Sequence, residues 1–169
     1  MEKHSVNYTL SEELKKAIND HMMIEYHSAL LYLAMSHFFA IENYKGLAHW
    51  FNLQSKEEYE HFEKFLKTFE DLKINPNFII PAVLNKWVNI ESVLRQSYEH
   101  EKQVSTSIHK LSEMAKGEES LYLCGFLKWF IVEQAQEENN AINLLDSYAR
   151  HQKEQSLEAF DSSLLSRKR

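Results

Sequence analysis

The sequence predicts an all-α protein, and three observations support that fold class. The chain of 169 residues contains only 3 glycines and 2 prolines, which is too few for the turns of a β-sandwich or β-barrel. Its hydrophobic residues, 44% of the total, recur over long stretches at steps of three and four, the period of a helix with one buried face. The length suits one domain, so we expect residues 1–169 to form a single unit.

Two long helical patterns fill the first half of the chain. The first, α1, covers residues from about 10 to 39, and Ser11 is placed to cap its N-terminus. A short polar stretch, residues 41–45, ends near Gly46 and is expected to form the turn. The second helix, α2, then runs from about 46 to 73, and Pro76 prevents its continuation. The short turn predicts that the two helices are antiparallel.

The second half of the chain begins with a linker. Residues from about 74 to 90 contain both prolines and no clear helical period, although 82–87 could form a short turn. Helix α3 is predicted from about 91 to 115, and Gly117 is expected to mark the next turn. Helix α4 is predicted from about 118 to 148. The turn between these helices is also short, so they should be antiparallel.

The length of the linker decides the topology. Helix α2, with about 28 residues, is about 42 Å long, whereas a 17-residue linker can reach about 56 Å. The linker can therefore travel the full length of the bundle. We expect a four-helix up-down-down-up bundle over residues of about 10–148, with one long crossover between α2 and α3.

A short fifth helix, α5, is predicted over about 154–167. It presents Leu157, Phe160 and Leu164 at helical spacing. About three turns of helix are too short to be stable alone in water. We therefore expect this apolar face to need a partner surface.

Charge and cysteine content exclude several classes of function. The chain has 25 acidic and 19 basic residues, a net charge of −6, which opposes phosphate binding and makes nucleic acid an unsuitable partner. A single cysteine, Cys124, excludes an intrachain disulfide and the cysteine-rich zinc sites. We see no apolar leader at the N-terminus and no run of eighteen apolar residues. A cytoplasmic protein without a membrane span is the expectation.

Each of the four long helices carries a carboxylate on its otherwise largely apolar stripe, near the middle of the helix. These are Glu25 on α1, Glu58 on α2, Glu101 on α3 and Glu137 on α4. Four buried carboxylates without a counter-charge would repel one another and take up protons. Because two divalent cations would cancel the four charges, the pattern predicts a metal centre inside the bundle.

Helix α2 also contains the only Glu-x-x-His sequence of the chain, Glu58 to His61. Residues three apart lie on one helical face, so both side chains can reach one ion. A ligand set of four carboxylates and one histidine is rich in oxygen and suits Fe(II) or Mn(II) better than structural zinc. We assign the other histidines to solvated or ordinary packing positions: His4, His21, His27, His37, His49, His100, His109 and His151.

These residues resemble the bacterial non-haem ferritins over nearly the whole chain. The similarity is carried by three stretches together, IEYHSALLY (24–32), EEYEHF (57–62) and VEQAQEE (132–138). The resemblance implies that Glu25, Glu58 and His61 hold one iron ion. It implies a second ion at Glu58, Glu101 and Glu137, with Glu58 as the bridge.

The resemblance also implies roles for residues around the two ions. Gln134 would help to place oxygen and water. Tyr32 and Trp129 match aromatic positions beside the centre, where they can supply an electron; on general grounds, both are packing residues. At the level of the whole protein, the family implies oxidation of Fe(II) by dioxygen or peroxide. It further implies storage of the ferric mineral in a hollow shell of twenty-four subunits.

Two departures from related patterns refine the expectation. Bacterioferritins carry a second Glu-x-x-His on α4 and a methionine after the α2 ligand; Glu137 and Tyr59 stand at the corresponding positions, so no haem is expected. Many bacterial ferritins have a third iron position, whose acids match Glu57, Glu133, Gln136 and Glu137 here. Because Gln136 replaces a carboxylate, this third position should be weak or altered.

One alternative of another class stays open from the sequence. The chain could be a non-catalytic helical shell subunit or cation-binding bundle, in which the central acids only store or pass cations. This alternative predicts metal binding without oxygen consumption, whereas the ferroxidase interpretation predicts both.

Overall fold

The computed structural model describes residues 10–80, 82–83 and 86–168, so His4 lies outside the described part. The described residues form five helices and no strand, which confirms the predicted all-α fold. None of these helices is both long and apolar enough to cross a membrane. The helices are α1 (Glu12–Ile41), α2 (Lys45–Leu72), α3 (Ile90–Gly117), α4 (Leu121–Lys153) and α5 (Leu157–Leu164).

The packing follows the predicted topology. Helix α1 packs along α2, α3 packs along α4, α1 also meets α3, and α5 lies on both α2 and α4. Between α2 and α3 the described residues form no helix, as expected for a crossover. The possible turn at 82–87 is absent from its described residues, while 84 and 85 fall outside them. The four long helices and their one long connection therefore form the expected bundle.

One of the two short turns differs from the prediction. The turn between α1 and α2 lies within the predicted polar stretch of residues 41–45, where Asn43 reverses the chain with a φ of 64°. Between α3 and α4, Gly117 ends α3 without a positive φ, and Glu119 reverses the chain instead, with a φ of 53°. A non-glycine residue can adopt this conformation at a cost of about 1 kcal/mol. Helix α4 accordingly begins at Leu121 and not near 118.

The predicted N-terminal cap of α1 is present. The Ser11 hydroxyl accepts a hydrogen bond from the Leu14 amide at 3.0 Å, which satisfies one of the free N–H groups of the first turn. Ser11 also meets a second element, because its own amide donates to the Glu118 carboxylate at 2.9 Å. The cap therefore ties the start of α1 to the turn between α3 and α4.

The helical stripes read from the sequence are the buried faces of the bundle. The eight residues of α1 that recur at steps of three and four are all buried, and so are most of those at this spacing on the other three long helices. On α1 they are Leu14, Ile18, Met22, Glu25, Ala29, Tyr32, Ser36 and Phe39. Apolar side chains form two core clusters, one towards each end of the bundle. Between them lie the polar stripe residues, all buried: Glu25, Gln54, Glu58, His61, Glu101, Gln134 and Glu137.

Helix α5 packs on its own bundle, which supplies a partner surface for its apolar face. Phe160 is 1% exposed and its ring lies 6.0 Å from that of Tyr148 and 5.5 Å from that of His151. Leu157 and Leu164 are half-buried against the same core cluster. Helices α2 and α4 together provide this surface.

Candidate metal centre

The centre of the bundle brings Glu25 and the Glu58/His61 pair together. The Nδ1 atom of His61 lies 3.3 Å from Glu58 Oε2 and 3.7 Å from Glu25 Oε2. One ligand atom from each of these three side chains falls within 4.8 Å of the other two. The predicted first position is thus a compact set of one nitrogen and two carboxylates that can surround one cation.

Burial and charge perturb the protonation of this set. Burial opposes the charged form of Glu25, but the neighbouring imidazoles of His21 and His61 outweigh it and hold the pKa of Glu25 well below its ordinary value. Burial raises the pKa of Glu58 well above its ordinary value. Although burial disfavours the charged imidazole, the adjacent side chains of Glu25 and Glu58 raise the pKa of His61 to about 11. Without a cation, the His61 imidazole and the Glu58 carboxyl group therefore both favour their protonated forms.

A second group of side chains surrounds Glu101 on α3. The Tyr32 hydroxyl donates a hydrogen bond to Glu101 Oε1, and Gln134 Nε2 donates to Glu101 Oε2 at 2.7 Å. Burial, together with the charge of Glu137, raises the pKa of Glu101 to about 7. Burial and the neighbouring Glu101 also raise the pKa of Tyr32 well above its ordinary value. Tyr32 and Gln134 both contact the carboxylate that the resemblance assigns to the second position.

Gln54 lies between Glu58 and Glu137. Its Nε2 atom donates to Glu58 Oε1 at 3.0 Å and to Glu137 Oε2 at 2.6 Å. Burial raises the pKa of Glu137 although this hydrogen bond works in the opposite direction. Neither of the compact ligand groups found among the described residues includes Glu101. In the second position, the Gln54 amide thus contacts Glu58 and Glu137, and the Gln134 amide contacts Glu101.

The side chains of the predicted third position do not all lie together. Glu133 and Glu137 form a compact group with His61, whereas Glu57 pairs with Arg167 across a distance of 2.6 Å. Gln136 is exposed to solvent. Of the four matched side chains, the structure therefore brings only two together, and it adds His61 to them.

Trp129 lies at the edge of the centre and not within it. Its side chain is 42% exposed, its ring centroid is 5.6 Å from that of His61, and Lys64 Nζ lies 4.6 Å from its centroid. Trp129 covers the side of the His61 imidazole, so it has both a packing contact and access to solvent.

Three residues that contact the centre were not identified as site residues from the sequence. His21 was assigned to packing, yet its Nε2 lies 2.9 Å from Glu25 Oε1. The sequence pattern does not single out Gln54 or Arg167. The i, i+4 spacing of His21 to Glu25 and of Gln54 to Glu58 could have indicated the first two. No local signal could have indicated Arg167, which is 110 residues from Glu57 in sequence.

The donor set fits cation binding. Glu25 Oε2 is buried without a hydrogen-bond partner, and three further buried carboxylates lie on the facing helices. Buried polar atoms are normally paired, and several buried acids together need a compensating charge. Hard carboxylate oxygens with one imidazole suit a divalent metal such as Fe(II). The arrangement can therefore hold cations in the middle of the bundle.

Comparison with known proteins agrees with this chemistry. The chain is 32% identical over 145 residues to a bacterial non-heme ferritin of Bacteroides fragilis. The aligned region covers 83% of this chain and 89% of the relative. It is 34% identical over 133 residues to one of Staphylococcus aureus, with coverages of 77% and 79%. The solved open pore ferritin of Archaeoglobus fulgidus superimposes with a TM-score of 0.89 at 28% identity, covering 94% of this chain and 98% of that one.

The Ferritin-like domain family matches residues 15–156. That range contains every carboxylate of the centre, together with His61, Tyr32 and Gln134. From the bundle, its buried acids and these similarities, we conclude that the chain belongs to the ferritin family.

Proposed function

We propose that the chain is a subunit of an iron-storage ferritin that oxidises Fe(II) at a di-iron centre within its own bundle. The observation that carries this function is the buried set of Glu25, Glu58 and His61, with donor atoms within 4.8 Å of one another. The neighbours whose names describe ferritins support the storage role. In this proposal, iron is the substrate and the stored cargo.

Different side chains of the centre would hold each of the two ions. We propose that Glu25, Glu58 and His61 hold the first ion, and that Glu58, Glu101 and Glu137 hold the second. Binding requires His61 to release the proton that it shares with Glu25 and Glu58, because a metal-bound nitrogen cannot keep its proton. Two bound Fe(II) ions supply electrons for the reduction of dioxygen or peroxide.

The residues next to the ligands orient them. Gln134 holds one oxygen of Glu101 and Tyr32 holds the other, so the Glu101 side chain has a fixed direction before any ion arrives. Such neighbours are worth about a factor of 10 to 100 in metal affinity in other proteins. We propose that Tyr32, which is buried against this ligand, is the nearest source of an additional electron, with Trp129 further out.

Assembly and location complete the proposal. We propose a single ferritin-like domain over residues 1–169 and a closed homo-oligomeric shell, with twenty-four subunits as the family implies. A hollow shell is what a storage role requires, since one bundle has no space for mineral. We also propose that the protein acts in the cytoplasm, where Fe(II) and reduced cysteine coexist.

Stopped-flow mixing tests this function. Anaerobic Fe(II)-loaded protein is mixed with air, and ferric absorbance and oxygen consumption are followed. The Glu58→Ala, His61→Ala double variant should lose the fast phase, because it lacks the proposed bridge and the only nitrogen ligand. A matched Glu63→Ala, His109→Ala variant removes the same residue types from exposed positions and should oxidise iron like the wild type. Iron binding without oxygen consumption would instead support the non-catalytic shell.

A further inference from the structure

The end of the chain is anchored against the start of α2. The Asp161 carboxylate accepts hydrogen bonds from the Gly46 and Leu47 amides at 3.0 and 2.8 Å. Tyr44, at the N-cap of α2, makes no capping hydrogen bond with its own side chain, so Asp161 provides the cap from another helix. Gly46 permits this approach, because a Cβ atom there would lie 1.6 Å from the Asp161 carbonyl oxygen. Helix α5 thus has a fixed position on the bundle.

This anchor directs Arg167 along α2 towards the metal centre. The Arg167 guanidinium carbon lies 4.3 Å from the centroid of the Trp50 ring, and Nη1 donates to the Trp50 carbonyl oxygen at 3.2 Å. On the opposite side, His49 Nε2 lies 3.0 Å from the Arg167 carbonyl oxygen. These contacts hold both the backbone and the side chain of Arg167, which is half-buried.

The end of the guanidinium reaches two polar residues of the centre. Its Nη2 atom donates to Glu57 Oε2 at 2.6 Å and to Gln54 Oε1 at 2.9 Å. Gln54 in turn donates to Glu58 and Glu137. The side chains of Glu57 and Arg167 are 22% and 18% exposed, so solvent screens this charge pair less than it would a surface pair.

We propose that Arg167 is an internal cation that takes the place of a third metal ion, and that this sets how many cations the subunit binds. This inference rests on the proposed di-iron function. Two features of this chain agree with it. Gln136 is neutral, whereas a third cation would need a carboxylate there. Glu57 belongs to the same predicted third position but lies outside the compact group of His61, Glu133 and Glu137, and the guanidinium neutralises its charge. Arg167 is thus a specificity-determining residue for cation binding, one that reaches the centre through Glu57 and Gln54.

The contacts favour a role of the charge over a purely structural role. The guanidinium pairs with Glu57 and donates to Gln54, and Gln54 donates to Glu137. Glu137 belongs to the compact group of possible ligands with His61 and Glu133. A positive charge held this close to that group opposes the entry of a further cation. Removing the charge leaves Glu57 without its cationic partner.

Anaerobic titration with Co²⁺ tests the proposal without iron turnover. Co²⁺ is a divalent ion whose visible absorption reports its coordination, and calorimetry counts the ions bound. Wild type should bind two per chain with little further uptake. Arg167→Gln should bind a third ion about tenfold more tightly than wild type does. A chain that ends at Leu165 keeps Asp161 and α5 and should behave in the same way.

Two further variants separate charge from structure. Arg167→Lys keeps the positive charge but cannot fork between Glu57 and Gln54, so it should still exclude the third ion even if it lowers thermal stability. Lys168→Gln removes an exposed charge from the neighbouring position and should match the wild type.

The outcomes are distinguishable from those of the proposed function. The inference would be overturned if Arg167→Gln and the chain ending at Leu165 both bound the third Co²⁺ ion no more tightly than the wild type does. So would a third ion that binds equally in Arg167→Lys and Arg167→Gln, because charge would then not matter. If wild type binds no Co²⁺ and no Fe(II) at all, the di-iron function itself fails.

Discussion

The Nε2 atom of His21 lies 2.9 Å from Glu25 Oε1, one helical turn away on α1. Its Nδ1 atom lies 2.8 Å from the Ser107 hydroxyl oxygen of α3. Both His21 and Glu25 are 1% exposed. His21 thus lies between a proposed ligand and the neighbouring helix, against one oxygen of the Glu25 carboxylate.

We predict that His21→Ala weakens the first cation position. Loss of a residue that orients a metal ligand costs about 10- to 100-fold in affinity. Calorimetric titration with Fe(II) under anaerobic conditions measures this change, and His109→Ala, at an exposed position of α3, is the control. Unchanged affinity in His21→Ala would mean that His21 only fills space.

Glu58→Ala should be more damaging than Glu25→Ala. Glu58 is the proposed bridge, so its removal takes a ligand from both ions, and both the number of bound Fe(II) ions and the oxidation rate should fall. Glu25→Ala should spare the second position in part. Equal loss of both ions in the two variants would argue against the bridge.

The third position should respond to Gln136→Glu. This change restores the carboxylate that related chains carry and should add a slow, low-affinity Fe(II) per subunit. Because Arg167 remains beside Glu57, the gain should be larger in an Arg167→Gln background. Iron-uptake curves of the single and double variants decide this. If the added carboxylate changes neither curve, Gln136 plays no part in iron binding.

Asp161→Ala should destabilise the start of α2. The loss of a helix cap costs about 1 kcal/mol, which lowers the melting temperature by about 2–4 °C in a chain of this size. Glu158→Ala, an exposed acid on the same helix, serves as the control. A melting temperature equal to that of wild type would show that the two amides find other partners.

Removal of residues from 154 onward should weaken the shell and also affect the subunit. We expect smaller assemblies by light scattering, because the family assembly implies that α5 contacts other copies around a closing axis. The burial of Phe160 adds a second effect, namely a loss of subunit stability measured by thermal unfolding. Intact wild-type protein that is monomeric at micromolar concentration would contradict both the shell and the storage role.

The sequence predicts contacts within one helix better than contacts between residues that are far apart in the chain. Helical periodicity predicted that Glu25, Glu58, Glu101 and Glu137 lie on the buried faces of their helices. It could do so because the spacing of a residue from the apolar residues of its own helix determines which face it occupies. The predicted start of α4 was about three residues early, since Glu119, and not Gly117, adopts the left-handed conformation that favours glycine. The contacts of Arg167 could not be predicted, because they depend on how α5 lies against a helix more than one hundred residues earlier.

The Asp161 cap has a consequence for the order of folding. Chains are synthesised from the N-terminus, yet the first turn of α2 receives its cap from a residue 115 positions later. A nascent chain that has not reached Asp161 lacks this cap, so the beginning of α2 should stay frayed until that residue is made. The same late contact delivers Arg167 to Gln54. Termination before Arg167 should therefore yield a bundle that folds but binds cations differently.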